Sequence, residues 1–280
     1  MKRFVFLTVC LALLAGCSGR DSAFVKTVLA GERTHSFIEM PTVARPDLTI
    51  DEAYKEQANY LRAQRRLGRT VVGYKVAYSS TTSQLRAGVD GPVYGVLLDE
   101  MAVPDGASVI AGGFRRFMIE AEIAVMIGRT IDKPIESVED LLPYIATLHP
   151  AVEMPDVLYG FDAEPGAMDM VAANTAAYRY ALGPGIEPVG FDPASLEIAL
   201  YAGRSRYATG PAADCMGGPL HVVLWLVQRL QENGQTLEQG HVVLTGTPTR
   251  AIMQASPDAQ IAQRYTADCG ALGKVTVVVR

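Results

Sequence analysis

Two glutamates separated by one residue, Glu120 and Glu122, are the side chains best suited to chemistry in this sequence. In a β-strand, side chains at positions i and i+2 point to the same face and lie roughly 6.6 Å apart along the chain. Repulsion between two carboxylates on a partly buried face raises the pKa of one of them strongly, unless a cation binds between them. A hard divalent ion such as Mg²⁺ or Mn²⁺ prefers carboxylate oxygens. The pair could also simply face water, and the motif alone leaves this alternative open.

A third acid, Glu153, supports the metal hypothesis. It lies in the apolar segment 151–156, directly after a predicted apolar helix, where burial is expected. The alternative is a surface glutamate at the exit of that helix. Three carboxylates from separate segments that converge on one cation would form a metal site.

The segment that carries the glutamate pair, Met118 to Ile127, is the clearest predicted strand. Its odd-numbered positions are all apolar and alternate with the glutamates: Ile119, Ala121, Ile123, Val125 and Ile127. The glutamate face continues with Ala124 and Met126, which are also apolar. We therefore expect both faces of this strand to be at least partly buried.

The remaining pattern predicts an α+β fold, with a strand-rich mixed core and flanking helices. Helices are predicted for 49–68, 137–148 and 220–231, strands for 71–78, 196–202, 241–245 and 274–279, and a polar loop for 79–83. Thr49 and Glu52 fit a capping box at the start of the first helix. The elements lack a regular βαβ order, which disfavours a doubly wound sheet. No linker interrupts residues 48–280, so we predict one domain there.

The N-terminus has the pattern of an export signal. Residues 1–16 combine two basic residues with an apolar stretch, which is typical of a secretory signal peptide. The run Leu14-Ala15-Gly16-Cys17 resembles the lipobox of bacterial lipoproteins, in which the cysteine after the cleavage point carries the lipid. We therefore expect Cys17 to be the lipidation site, residues 17–47 to be a tether and lead-in, and the protein to be anchored in the cell envelope at the periplasmic face of the outer membrane. A plain cleaved signal peptide is the alternative.

Composition and motif searches argue against several classes of function. The 280-residue chain has a formal net charge of −5 and no extended basic cluster, which argues against a nucleic-acid partner. A Gly-x-Ser-x-Gly elbow is absent from the sequence, so a serine hydrolase is not supported. Cys215 and Cys269 could form a disulfide in an oxidising compartment, but two cysteines do not require one.

Motifs spread over residues 48–280 resemble the hydratase branch of the fumarylacetoacetate hydrolase superfamily, which includes 2-keto-4-pentenoate hydratases and 4-oxalocrotonate decarboxylases. The strand with two glutamates and the segment with Glu153 match the metal-binding motifs of that branch. The matching segments are Gly73-Tyr74-Lys75, 88–90, 94–98, 120–124, 151–156, 169–174, 240–246 and 272–275. They occur in the order typical of the family.

The resemblance implies a fold, a cofactor and a reaction. The fold would be that of the C-terminal domain of fumarylacetoacetate hydrolases. Mg²⁺ or Mn²⁺, held by Glu120, Glu122 and Glu153, would stabilise an enolate of a small 2-oxo acid. Hydration of 2-hydroxypenta-2,4-dienoate is the expected reaction, and decarboxylation by the same chemistry is the alternative. Lys75 is implied as charge partner or proton carrier, with Asn174 and Thr245 as further site residues, and the family's assemblies allow a homo-oligomer.

Several positions depart from the pattern of this branch. Thr81 replaces a common second lysine, Val93 an acid and Ala173 an aspartate, and two small hydroxyl residues are replaced by Ala176 and Ala177. These changes leave the metal ligands intact but alter the groups available for proton transfer. They keep open a second hypothesis, in which an envelope lipoprotein retains the fold and binds only a small acid or a protein partner.

Overall fold

The computed structural model describes residues 21–280 of the chain. The signal peptide expected for residues 1–16 and the lipidation site expected at Cys17 lie outside the described residues. Among residues 21–280, no helix combines the length and the apolar character needed to cross a bilayer.

Two β-sheets form the centre of the described structure. The larger sheet has the strand order β2-β1-β10-β5-β6-β7-β3, with β11 paired to one end of β5, and the smaller has the order β4-β13-β12-β8-β9. The strands are β1 Val71–Ala77, β2 Val93–Leu98, β3 Ala102–Val103, β4 Ser108–Val109, β5 Met118–Ile127, β6 Ile145–Met154, β7 Arg179–Leu182, β8 Glu197–Ala202, β9 Ser205–Pro211, β10 Val242–Leu244, β11 Ile252–Met253, β12 Arg264–Asp268 and β13 Lys274–Val279.

The sheets confirm the predicted α+β class with a strand-rich mixed core. Pairing is mostly antiparallel, but β1 runs parallel to β10, β3 to β7 and β4 to β13. One apolar cluster includes buried side chains from both sheets, among them Ile123, Leu148 and Tyr265. The predicted strand at 118–127 is confirmed over its full length, and strands also occupy the segments predicted at 71–78, 196–202, 241–245 and 274–279.

Seven α-helices flank the sheets in the described part of the chain. They are α1 Ala23–Thr34, α2 Pro41–Ala44, α3 Ile50–Arg66, α4 Thr81–Ala87, α5 Val138–Leu141, α6 Ala167–Ala172 and α7 Pro219–Glu232. The predicted capping box is present, because Thr49 accepts from the backbone of Glu52 and the Glu52 carboxylate accepts from the Thr49 backbone. The helices predicted at 49–68 and 220–231 are confirmed as α3 and α7.

The helix predicted for 137–148 is wrong beyond its first turn. Residues 138–141 form α5, Leu142–Tyr144 form a short 3₁₀-turn, and β6 begins at Ile145. Pro143 cannot supply the backbone N–H that a continued helix requires. Pairing of β6 with the long strand β5 then determines the conformation of the rest of the segment, including Glu153.

Two other segments are more regular than expected. In the segment expected to be a tether and lead-in, α1 and α2 form, and α1 buries Val25 and Val28 in the main core. In the loop predicted at 79–83, Ser80 caps α4, which buries none of its residues. Helices α2 and α4 have only four and seven residues, so neither has the long apolar stripe by which a helix is usually recognised.

Removal of the Ser22 side chain should destabilise the protein, because Ser22 joins α1 to α3. Its hydroxyl accepts from Val25 N at 3.1 Å and donates to Glu56 Oε2 at 2.5 Å. We expect Ser22→Ala to lower the free energy of unfolding by about 1 kcal/mol, as the loss of a helix cap does. Urea denaturation would measure this, with Thr34→Ala at the exposed end of α1 as the matched control. Equal stability of both variants and the parent protein would show that α1 is not part of the cooperative fold.

Candidate metal centre

Strand register brings the three predicted ligands to one face of the larger sheet. Glu120 lies directly opposite Glu153 in the antiparallel pairing of β5 with β6. Residues directly opposite each other share a face, with Cβ atoms about 5 Å apart. Glu122 is two residues further along β5 and therefore points to that face as well. Glu153 is thus presented by a strand, not by the end of a helix.

The three carboxylates form a compact cluster. One carboxylate oxygen from each of Glu120, Glu122 and Glu153 lies within 4.8 Å of the other two. Glu122 and Glu153 are each only 1% exposed, whereas Glu120 is partly exposed. The site therefore opens to solvent on the side of Glu120.

Glu122 is positioned by the backbone that follows β10. Its Oε2 accepts a hydrogen bond from Gly246 N at 2.8 Å. Gly246 has a left-handed φ of 84°, and a Cβ there would lie 2.2 Å from Ser79 Oγ. Glycine is therefore required at this position, because the turn packs directly on the end of β1.

Lys75 reaches the same cluster from β1. Lys75 pairs with Leu244, and Leu244 pairs with Ala124, which occupies the glutamate face of β5. The Lys75 side chain, 4% exposed as a residue, places Nζ 3.2 Å from Glu153 Oε1 and donates to Thr175 O, also at 3.2 Å. The structure therefore places this predicted site residue beside the three carboxylates.

The protein raises the pKa of each carboxyl group above its usual value of 4.5. Burial is the main cause for all three, and mutual repulsion adds to it for Glu122 and Glu153. The pKa of Glu153 rises to about 7, and that of Glu122 is raised well above its usual range. Burial alone would lower the pKa of Lys75, but attraction to the three carboxylates outweighs it and raises that pKa.

The geometry fits a divalent cation held by oxygen ligands. Both Glu153 oxygens are buried, and neither accepts a hydrogen bond of good geometry in the described structure, although the Lys75 ammonium is near. A buried carboxylate without such donors is costly unless a cation compensates it. Three clustered carboxylates suit Mg²⁺ or Mn²⁺, which prefer hard oxygen donors.

The side chains of the other two predicted site residues, Asn174 and Thr245, form hydrogen bonds with the backbone of neighbouring strands. The Asn174 carboxamide donates to Val96 O at 2.9 Å and accepts from Val96 N at 2.8 Å. The Thr245 hydroxyl donates to Ile123 O at 2.8 Å, where β10 leaves β5. Both are buried, and these contacts favour positioning roles over direct contact with a substrate.

Cys215 and Cys269 are separate, buried thiols, so the structure contains no disulfide between them. Cys215 Sγ donates to Gly246 O at 3.5 Å, and Cys269 Sγ donates to Glu122 O at 3.4 Å. Burial raises the pKa of each thiol to about 12. Neither thiol is therefore a reactive thiolate near neutral pH.

Sequence reasoning missed the backbone contributions to the site. Thr175 O and Gly246 N contact Lys75 and Glu122, and no side-chain motif identifies a carbonyl or an amide. Asp156, in the segment that carries Glu153, also holds backbone groups in place. This buried carboxylate accepts from the backbone N–H groups of Arg115 and Arg116 and forms an ion pair with the Arg115 side chain, so it anchors the start of β5.

Residues 53–280 match the family model described as Fumarylacetoacetate (FAA) hydrolase C-terminal. The chain belongs to the fumarylacetoacetate hydrolase family. It is 32% identical to the 2-keto-4-pentenoate hydratase of Paraburkholderia xenovorans (strain LB400) over 204 residues, which are 72% of this chain and 75% of that protein. It is 30% identical to the 4-oxalocrotonate decarboxylase of Pseudomonas putida over 226 residues, which are 79% of this chain and 83% of that one.

A solved structure of the same family has the same fold throughout. The 4-oxalocrotonate decarboxylase from Pseudomonas putida G7, complexed with magnesium and adipate, superposes with a TM-score of 0.85 at 26% identity. The match covers 92% of this chain and 96% of that one. It confirms the fold expected for this fumarylacetoacetate hydrolase family member.

The raised pKa of Glu153 predicts how stability depends on pH in the ion-free protein. Its pKa of about 7 in the fold exceeds the ordinary 4.5, so the folded protein binds this proton more tightly than the unfolded chain. The stability that Glu153 contributes is therefore fully present below pH 4.5 and is lost as the pH rises towards 7. Glu153→Gln should lack this contribution.

Thermal unfolding of both proteins in chelator, in steps from pH 5 to pH 8, would measure the difference. We expect the parent protein to lose stability relative to Glu153→Gln as the pH rises. Saturating Mg²⁺ should reverse this trend, because the ion binds the deprotonated carboxylates. A difference between the two proteins that does not vary with pH would contradict the assigned environment of Glu153.

Proposed function

We propose that this protein is a divalent-metal-dependent hydro-lyase that hydrates a small 2-hydroxy-alkenoate such as 2-hydroxypenta-2,4-dienoate. The observation that carries the proposal is the buried cluster of Glu120, Glu122 and Glu153 with the Lys75 ammonium beside it. The similarity to 2-keto-4-pentenoate hydratases over most of the chain supports the choice of reaction.

Each residue of the cluster has a definable task. Glu120, Glu122 and Glu153 would hold Mg²⁺ or Mn²⁺. When bound, the ion supplies Lewis-acid stabilisation of negative charge on the oxygens of a 2-oxo acid. Lys75 holds a proton at Nζ next to the cluster, where it can be donated to a substrate carbon or oxygen. Because Glu122 and Glu153 are almost fully buried and Glu120 is partly exposed, water approaches the cluster from the side of Glu120.

Decarboxylation of a related 2-oxo acid is a second candidate reaction. The high structural similarity to a 4-oxalocrotonate decarboxylase, at 26% identity, favours it. Both reactions need negative charge stabilised at the same place, so the three carboxylates serve either one.

A binding protein without turnover is the candidate from another class. Ala173 and Ala176 replace polar residues and pack in an apolar cluster with Val157 and Tyr159. Neither alanine can transfer a proton. The retained carboxylate cluster and Lys75 favour the enzyme.

The Lys75→Met variant separates proton transfer from ion binding. The purified protein with Mg²⁺ or Mn²⁺ should remove the ultraviolet absorbance of 2-hydroxypenta-2,4-dienoate. Lys75→Met should lower kcat by about 10²- to 10⁴-fold, because a positioned acid is lost. Its affinity for Mg²⁺, measured by calorimetry, should not weaken, because a competing positive charge is gone.

Glu122→Gln should instead weaken Mg²⁺ binding and turnover together, whereas Glu136→Gln at an exposed position should change neither. Release of CO₂ from an oxalocrotonate-type acid would favour the decarboxylase. Bound metal without turnover on a panel of 2-oxo acids would favour the binding protein. Unchanged Mg²⁺ affinity in Glu122→Gln would remove the basis of both enzyme proposals.

We further propose that residues 1–16 direct export and that Cys17 carries a lipid that anchors the protein in the cell envelope, at the periplasmic face of the outer membrane. The run Leu14-Ala15-Gly16-Cys17 supports this proposal. Several acyl chains on one residue would bind a membrane stably, whereas one chain alone would not.

Replacement of the proposed lipidation site should release the protein from membranes. We expect the full chain expressed in a Gram-negative host to sediment with outer membranes, and Cys17→Ser to appear in the soluble fraction. Mass spectrometry of the N-terminal peptide would detect the lipid directly. Cys10→Ser is the matched control, because it changes a cysteine within the signal. A membrane-bound Cys17→Ser variant would contradict the proposal.

A further inference from the structure

Three consecutive residues next to Lys75 adopt a left-handed backbone conformation. The φ angles of Asn174, Thr175 and Ala176 are 57°, 55° and 55°. Residues with a Cβ avoid this region, and it is normally visited by single residues, most often glycine or asparagine. A β-branched residue such as Thr175 is especially unfavourable there. This turn, residues 174–176, therefore requires strong local interactions to persist.

Hydrogen bonds to β2 supply those interactions. Asn174 binds both backbone groups of Val96, and Thr175 Oγ1 donates to Tyr94 O at 3.0 Å. The residue between them is Gly95, where a Cβ would lie 2.6 Å from Asn174 O. The turn can approach β2 this closely because Gly95 has no side chain.

The turn also borders a cavity on one side. A cavity of about 240 Å³ is lined by Ala173, Asn174, Ala176 and Ala177, together with residues of α1 and α3. Part of the turn therefore borders this space, while all three of its residues are buried and Ala176 packs in the apolar cluster with Val157 and Tyr159. The polar contacts to β2 act together with this packing to hold the strained backbone.

This arrangement fixes the position of the Thr175 carbonyl group. Thr175 O accepts from Lys75 Nζ at 3.2 Å, and Glu153 Oε1 lies 3.2 Å from the same nitrogen. An ammonium has three N–H groups. Within residues 21–280, Thr175 O accepts the hydrogen bond from Lys75 Nζ, whereas Glu153 Oε1 is paired with it by charge without a hydrogen bond of good geometry. N–H groups of the ammonium therefore remain for another partner.

We propose that residues 174–176 form a positioning turn that orients the Lys75 ammonium through the Thr175 carbonyl, so that one of its remaining N–H groups points to the substrate. Asn174 and Gly95 are positioning residues that hold this turn on β2. The inference rests on the proposed role of Lys75 in proton transfer.

Two variants of the turn test the proposal. Asn174→Gly removes the hydrogen bonds to Val96 but accepts the left-handed φ, so it tests these hydrogen bonds without adding strain. Thr175→Val keeps the shape of the side chain and loses the bond to Tyr94 O. We expect each to lower kcat by about 10- to 100-fold, as misplacement of a reacting group does, with the KM and the Kd for Mg²⁺ changed by less than about twofold.

Conservative controls separate positioning from general damage. Thr175→Ser retains the hydroxyl and should keep kcat within about twofold of the parent protein. Thr266→Val loses a comparable hydroxyl contact, with Thr276, in the smaller sheet and should leave kcat unchanged. Parent-like kcat in both Asn174→Gly and Thr175→Val would show that the turn is only structural and would overturn the proposal.

A measurement that does not depend on turnover, the NMR signal of Lys75, tests the positioning turn separately from the proposed reaction. The ¹⁵N–¹H signal of the buried Lys75 ammonium can be assigned by its absence in Lys75→Met. It should shift or broaden in Asn174→Gly and Thr175→Val, and persist in Thr175→Ser. No turnover by the parent protein would contradict the proposed reaction, whereas a Lys75 signal that is insensitive to both turn variants would contradict the positioning turn.

Discussion

The register between β5 and β6 is the constraint on which the site depends. It places Glu120 directly opposite Glu153, with Glu122 on the same face. Like charges at directly opposed positions destabilise a sheet, and burial increases that cost. The fold therefore concentrates negative charge at one point. The Lys75 ammonium compensates part of this charge, and a divalent cation would compensate the rest.

Backbone groups complete the site because the side chains alone leave it underdetermined. Gly246 N fixes one oxygen of Glu122, and Thr175 O fixes the ammonium of Lys75. Each belongs to a turn that packs closely on a neighbouring strand. The glycines at 246 and 95 have no Cβ where that close approach would forbid one. Strain and close packing are thus concentrated around the charged cluster, as is common at functional sites.

The local sequence pattern predicted β5, which carries Glu120 and Glu122, but it did not predict its partner strand β6. Strict alternation over 118–127 predicted β5 and the shared face of Glu120 and Glu122. The segment before Glu153 has apolar spacing that fits a helix, yet Pro143 and long-range pairing with β5 make it a strand. The carbonyl of Thr175 was beyond reach because its position depends on a turn held by β2, about 80 residues earlier in the chain.

The position of α1 limits how a lipid anchor could work. The sequence suggested a tether and lead-in over residues 17–47, and within it α1 begins at Ala23 and buries Val25 and Val28 in the core. Five residue-to-residue steps separate Cys17 from Ser22, and they span at most about 18 Å. Under the proposed lipidation the catalytic domain would therefore lie close to the membrane surface. A substrate would then reach Glu120 from the narrow layer next to the bilayer or from the face turned away from it.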